Sequence, residues 1–170
     1  SDYKLTSIEL PTKLTSIGAS AFLNCESLES IDIPDTVTEI GDRAFANSGL
    51  RMLVIPSSVT AVNYDLCNEN HNLNEVVFSP NTKSVEMTAF SGCSNLKNID
   101  LPDGLEKIGK MAFLSSVNAR IYIPQSVTDI EKKAFNDNAV IYGYANSAAE
   151  EFAKNNDIKF VAVNSHDEYL

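Results

Sequence analysis

The chain holds 170 residues, 44% hydrophobic and 21% charged, which is enough apolar material to build a core and places it outside the disordered class. Its 23 acidic and 13 basic side chains leave a net charge of −10, which repels phosphate backbones and anionic lipid and so argues against nucleic-acid and membrane-surface binding. No apolar run approaches the ~20 residues a membrane helix needs, and Ser1 to Leu10 lacks the basic-then-apolar layout of a signal peptide, so an exported form would already have shed its leader.

Taken in chain order, the predicted elements repeat one another. The first unit reads Ile8-Glu-Leu-Pro11, Leu14-Thr-Ser-Ile-Gly18, Ala21-Phe22. The second reads Ile31-Asp-Ile-Pro34, Val37-Thr-Glu-Ile-Gly41, Ala44-Phe45. The third is looser, with Leu53-Val-Ile-Pro56 and Val59-Thr-Ala-Val62 leading to Leu66-Cys67 where Ala-Phe is expected. In the fourth, Val76-Val-Phe78 is followed by Ser79 in the proline slot, then Val85 and Ala89-Phe90. The fifth and sixth return to the pattern through Ile99 to Phe113 and Ile121 to Phe135. The phenylalanine slot falls at 22, 45, 67, 90, 113 and 135, a period of 22 or 23 residues.

A fixed period with recurring apolar slots specifies a solenoid, because one unit cannot bury its own apolar face and stacked units share one core. The apolar-x-apolar triplet before proline predicts a short strand, which proline then ends. The Val-x-x-Ile-Gly segment predicts an extended stretch and a turn, and the Ala-Phe pair is carried inward on a short helical turn. Beyond Phe135 the pattern changes. Ile141-Tyr142-Gly143 starts a strand, and residues 146–156 read as a helix with Ser147 as N-cap, Glu150 completing a capping box, and Ala148, Ala149, Phe152 and Ala153 on one face. Ile158 to Val163 alternates like a last strand. Residues 141–163 are therefore expected to cap a single solenoid over 1–163, with 164–170 as a polar tail. The N-terminal end shows no matching cap, which predicts an interface to a preceding segment or a place within a longer protein.

The unit Leu-x-x-Ile-x-Ile-Pro-x-x-Val-x-x-Ile-Gly-x-x-Ala-Phe-x-x-Cys resembles the BspA-like leucine-rich repeats of bacterial cell-surface proteins. Leu28 to Phe45 and Leu96 to Phe113 carry the likeness nearly slot for slot, and Gly143 to Phe160 is similar to that family's terminal unit. The resemblance implies a leucine-rich-repeat solenoid of stacked short parallel strands with turns and short helical turns, plus a C-terminal helix–strand cap. It also implies a cell-surface or secreted location and a non-catalytic, protein-binding role, in some members adhesion to host matrix or surface proteins. It implies no binding residues, and it leaves the oligomeric state open.

Candidate chemistry is sparse. Cys25 and Cys93 share one slot three units apart, a separation of ~14 Å that no disulfide spans, and Cys67 fills a core slot. A Cys67–His71 nucleophilic pair has compatible spacing but no orienting carboxylate. His71 and His166 have no metal-ligand partner at strand or helix spacing. No phosphate loop, nucleophile elbow or dinucleotide fingerprint occurs, so no catalytic, cofactor or metal residues are assigned. Asp32, Asp35, Asp100 and Asp103 recur in register as an acidic face. On a solenoid the strand side is expected to be the concave binding surface. Its outward slots place Met52, Val54 and Val77 as an exposed apolar patch, and Arg120, Tyr122 and Tyr142 as an aromatic cluster towards the C-terminal end. These six residues are the candidate partner site. The competing readings are a structural spacer and a carbohydrate-binding module that stacks sugars on Tyr122 and Tyr142.

Overall fold

Each proline that follows an apolar-x-apolar triplet accepts a turn hydrogen bond three residues on: Leu14, Val37, Val59, Leu105 and Val127 donate to Pro11, Pro34, Pro56, Pro102 and Pro124. In the fourth unit Thr82 makes the same bond to Ser79, whose hydroxyl also accepts from the Asn81 N–H, so serine reproduces the turn that proline forms elsewhere. These local turns recur at the repeat spacing and wind the chain into coils. The computed structural model describes residues 4–170.

The elements in order are β1 (Ser16–Ile17), β2 (Glu39–Ile40), β3 (Met52–Val54), β4 (Ala61–Val62), β5 (Glu75–Val77), β6 (Ser84–Val85), β7 (Asn98–Asp100), β8 (Lys107–Ile108), β9 (Arg120–Ile123), β10 (Asp129–Ile130), β11 (Val140–Gly143), α1 (Ala148–Asn155) and β12 (Lys159–Ala162), followed by a 3-10 turn at His166–Glu168. All strand pairs are parallel, and their register equals the repeat: Leu53 faces Val76, Ile99 faces Ile121, and Ile121 faces Ile141. Two sides of the solenoid carry ladders. One runs β3–β5 and then β7–β9–β11–β12, and is interrupted between β5 and β7. The other runs β1–β2 and β4–β6–β8–β10.

A third seam of hydrogen bonds holds the Ala-Phe side together. The N–H of the phenylalanine-slot residue donates to the alanine-slot carbonyl of the next coil: Phe22 to Ala44, Phe45 to Leu66, Cys67 to Ala89, Phe90 to Ala112 and Phe113 to Ala134. This segment is a run of tight turns, and the residue two before the phenylalanine slot is left-handed in all six coils: Ser20, Arg43, Asp65, Thr88, Met111 and Lys133, with φ between 53° and 59°. A non-glycine residue there costs roughly 1–2 kcal/mol. The cost is offset because the rotation aims that N–H along the stack, where Ser20, Arg43, Asp65 and Thr88 reach carbonyls of Asp42, Tyr64, Met87 and Lys110.

The core is one column. Phe22 stacks on Phe45 at 5.5 Å, and Phe90, Phe113 and Phe135 stack at 5.3 and 5.7 Å. Cys67 interrupts the aromatic run, and Asn70, three residues on, sits beside it and donates its N–H to the Cys67 carbonyl. Asn70 is fully buried and reaches back one coil. In the first, third, fourth and fifth coils the residue in its slot donates its N–H to the phenylalanine-slot carbonyl of its own coil, as Cys25 does to Phe22 and Cys93 to Phe90. In the second coil the Asn70 amide stands in that bond instead: its nitrogen donates to the Phe45 carbonyl at 2.8 Å and its oxygen accepts from the Ser48 N–H at 2.6 Å.

Helix α1 closes the C-terminal end. Ser147 Oγ accepts from the Glu150 N–H, and Glu150 Oε2 accepts from the Asn146 N–H at 2.6 Å, so the box closes one residue earlier than the usual pattern. Ala149, Phe152 and Ala153 face inward, and Phe152 meets Phe135 edge-on at 5.9 Å, ending the ring column.

Candidate functional site

The strand side carries the outward slots. Val54 and Val77 lie directly opposite each other on the β3–β5 pair, and Met52 lies opposite Glu75. All three apolar side chains are exposed, at 41% for Met52, 49% for Val54 and 40% for Val77. Alternation along each strand forces this: Leu53 and Val76 take the inward positions, so their neighbours must face solvent. Next to the patch, where the ladder is interrupted, a cleft of about 470 Å³ opens, lined by Asn74, Glu75, Val76, Val77, Phe78, Asn98 and Asp100. The patch thus adjoins an acidic recess.

The second predicted group is differently placed. Arg120 and Tyr142 stand on the face as expected, with the guanidinium 5.0 Å from the Tyr142 ring centre and its Nε donating to the Tyr142 hydroxyl at 3.3 Å. Tyr122, expected as an exposed platform, is fully buried. The correction has a physical cause: residues 164–169 fold back over β7, β9 and β11. The His166 ring stacks on Tyr122 at 4.3 Å, and its Nε2 lies 2.7 Å from Asp100 Oδ1. Tyr169 packs against Tyr122 and Tyr142 at 5.7 and 5.3 Å. Its hydroxyl donates to the carbonyls of Ile99 and Arg120, and its own carbonyl accepts from Arg120 Nη2 at 3.0 Å. Sequence reasoning missed Asp100, His166 and Tyr169 as members of this cluster. The available signal was an imidazole and a phenol three residues apart in an otherwise polar tail.

Electrostatics follow burial. Removal from water pushes the Tyr169 phenol up to about 12, assisted by the Asp100 charge. Tyr122 is raised further for the same first reason, with hydrogen bonding to Tyr144 and the Asp103 carboxylate adding to it. The Asn164 backbone N–H donates to Glu168, which lowers the Glu168 pKa and pins the 3-10 turn that presents His166 and Tyr169.

The other candidates hold no reactive arrangement. All three cysteines are buried thiols. Desolvation raises Cys67 to about 12, so it carries no thiolate near neutrality, and His71 is instead engaged with the Gly92 carbonyl at 2.9 Å and with Glu69. Among the described residues, no group of three or more His, Cys, Asp or Glu side chains is placed to hold a metal ion, and no helix is long and apolar enough to cross a membrane.

The architecture is a solenoid of about seven turns, stacked through parallel strands and closed by one helix. Six copies of the BspA type leucine rich repeat region match residues 1–82 and 64–147, and the chain belongs to that family. A leucine-rich repeat protein from Bacteroides ovatus is 23% identical with a TM-score of 0.59, covering 95% of this chain and 55% of its own. A leucine rich cell surface protein from Faecalibacterium prausnitzii is 22% identical with a TM-score of 0.53, covering 95% and 62% respectively. The chain therefore spans little more than half the length of these structures, whose likeness establishes the fold. A comparison with curated proteins finds no match.

Proposed function

We propose that the chain is a non-catalytic protein-binding module of a bacterial cell-surface or secreted protein, and that it engages its partner through the strand side. The observation that carries this reading is the Met52–Val54–Val77 patch. Three large apolar side chains share the outward face of one strand pair, with Val54 opposite Val77 and Met52 two residues from Val54, each at least 40% exposed, in a chain whose other outward slots are mostly polar or acidic. Grouped apolar side chains facing water mark interaction surfaces on soluble proteins. The strands beneath hold them in fixed positions, so binding orders little. Surface location is supported by the family's bacterial surface-type repeats and by the structural relative described as a cell surface protein.

The test is a screen of the purified chain against arrayed extracellular matrix and bacterial surface proteins, beside a Met52→Ser/Val54→Ser/Val77→Ser variant. A protein ligand lost in the variant, with the melting temperature unchanged, is the expected result. A ligand retained by the variant moves binding off the patch. No ligand for either form favours the spacer reading. The carbohydrate reading is weakened by the burial of Tyr122, which leaves Tyr142 as its one platform.

A further inference from the structure

The tail that covers Tyr122 is held in an unusual way for a capping segment. Among the described residues, the last backbone–backbone bond tying it to the solenoid is Val163 N–H to the Gly143 carbonyl; the later ones, Glu168 to Ser165 and Tyr169 to His166, run within the tail. What fixes it to the face is a set of side-chain contacts: a ring stack on Tyr122, an imidazole–carboxylate contact at Asp100, a phenol donating to two strand carbonyls, and a guanidinium on the Tyr169 carbonyl. The receiving groups are built independently of the tail. Tyr122, Arg120 and Tyr142 stand on β9 and β11, and Asp100 ends β7, three strands joined in one ladder. A rigid surface contacted by the side chains of one turn is the arrangement of a receptor and a short peptide ligand.

We propose that the Asp100–Arg120–Tyr122–Tyr142 surface is a peptide-recognition site, that residues 164–169 occupy it as an internal ligand, and that the partner it fits is a protein segment carrying histidine and tyrosine three residues apart on one turn. The chemistry of this surface sets these requirements. The floor offers acceptors, from Asp100 and the Ile99 and Arg120 carbonyls, so the ligand must bring donors on aromatic rings. Arg120 supplies a cation and takes a ligand carbonyl. Because the tail is tethered directly to β12, its effective concentration at the site is on the order of millimolar. A partner segment displaces it only where the partner's concentration divided by its Kd exceeds that effective concentration divided by the tail's own Kd. The inference extends the strand-side reading towards the capped end. It uses residues separate from the Met52 patch, so the two fail on different experiments.

The test uses the full chain with His166→Ala/Tyr169→Ala, which empties the site without altering its receiving groups. The probe is a fluorescent synthetic peptide with the sequence of residues 163–170, followed by anisotropy. The expected result is saturable binding to this variant, at least about tenfold weaker binding to the unaltered chain because the tail competes, and loss of binding when Tyr122→Ala is added. A peptide lacking only the tyrosine hydroxyl should bind the emptied variant more weakly. Adding the three serine substitutions at 52, 54 and 77 should leave peptide affinity unchanged. His166→Ser/Tyr169→Ser serves as a second emptied form if the double alanine variant loses its native circular dichroism. The proposal is overturned if a folded emptied form shows no saturable binding, if it binds the peptide no better than the unaltered chain does, or if it takes soluble oligosaccharide in place of peptide.

Discussion

Replacing Phe113 by alanine removes the middle ring of the Phe90–Phe113–Phe135 stack. The side chain is fully buried, with ring neighbours at 5.3 and 5.7 Å on either side. Phenylalanine-to-alanine changes in a packed core cost about 3–5 kcal/mol through lost transfer energy and the cavity left behind. Here the loss of two ring–ring contacts, each about 0.5–1.5 kcal/mol beyond burial, places the expected cost at the upper end, about 4–5 kcal/mol. Phe22 provides the internal comparison. It lies in the first coil with one ring neighbour among the described residues, Phe45, and retains some solvent contact. Because each coil leans only on its neighbours, damage at an end releases one coil while damage at the centre uncouples two blocks. Phe22→Ala should therefore cost about 1–3 kcal/mol. The assay is urea unfolding followed by far-ultraviolet circular dichroism, since the chain has no tryptophan to report, with the m-value checked for loss of two-state behaviour. A cost below about 2 kcal/mol for Phe113→Ala, or equal costs at the two sites, would refute the stacked-column account.

Two further predictions concern titration and reactivity. Tyr169 is neutral and hydrogen-bonded in the folded chain with its pKa raised to about 12, above the ordinary value of 10. Its contribution to stability is thus complete below pH 10 and lost as pH rises through 12; alkaline difference absorbance should show Tyr169 and Tyr122 ionising after the exposed tyrosines, and a single transition near pH 10 for every tyrosine would contradict the covered face. Cys67 and Cys93, both raised by burial, should react with an aromatic disulfide reagent at pH 8 only at the rate of unfolding, and labelling within seconds in native buffer would be inconsistent with the packed core.

The repeat was legible because its physics is periodic. Slots that must be apolar recur every 22 or 23 residues, and a strand of three residues leaves no freedom about which side chain faces in. The exposure of Met52, Val54 and Val77 followed from that alternation. Two features were not legible, for different reasons. The left-handed slot is filled by Ser20, Arg43, Asp65, Thr88, Met111 and Lys133, none of them glycine or asparagine; in the first four the conformation is supported by the N–H donating to a carbonyl of the next coil, a backbone bond that any residue can make, so no residue preference marks the slot. Tyr122 was misplaced because alternation shows only that a side chain points away from its own coil's core. What lies beyond is decided by the tail, whose few polar residues carry no period and whose docking depends on contacts such as His166 with Asp100, 66 positions apart.

The Asn70 amide has a consequence for the chain as an array. Most joints in the stack are alike: each coil completes its own turns and offers the next one the same edge. The joint between the second and third coils is keyed. The second coil leaves the Phe45 carbonyl and Ser48 N–H without their usual mutual bond, and only a carboxamide arriving from the third coil satisfies both. That carboxamide in turn sits beside Cys67, whose slot holds a phenylalanine ring in the other coils. Coils two and three are therefore a matched pair. The array can be lengthened or shortened by whole coils elsewhere at modest cost, but a cut between these two would strand buried donors and acceptors on both pieces, so the pair moves as one unit or not at all.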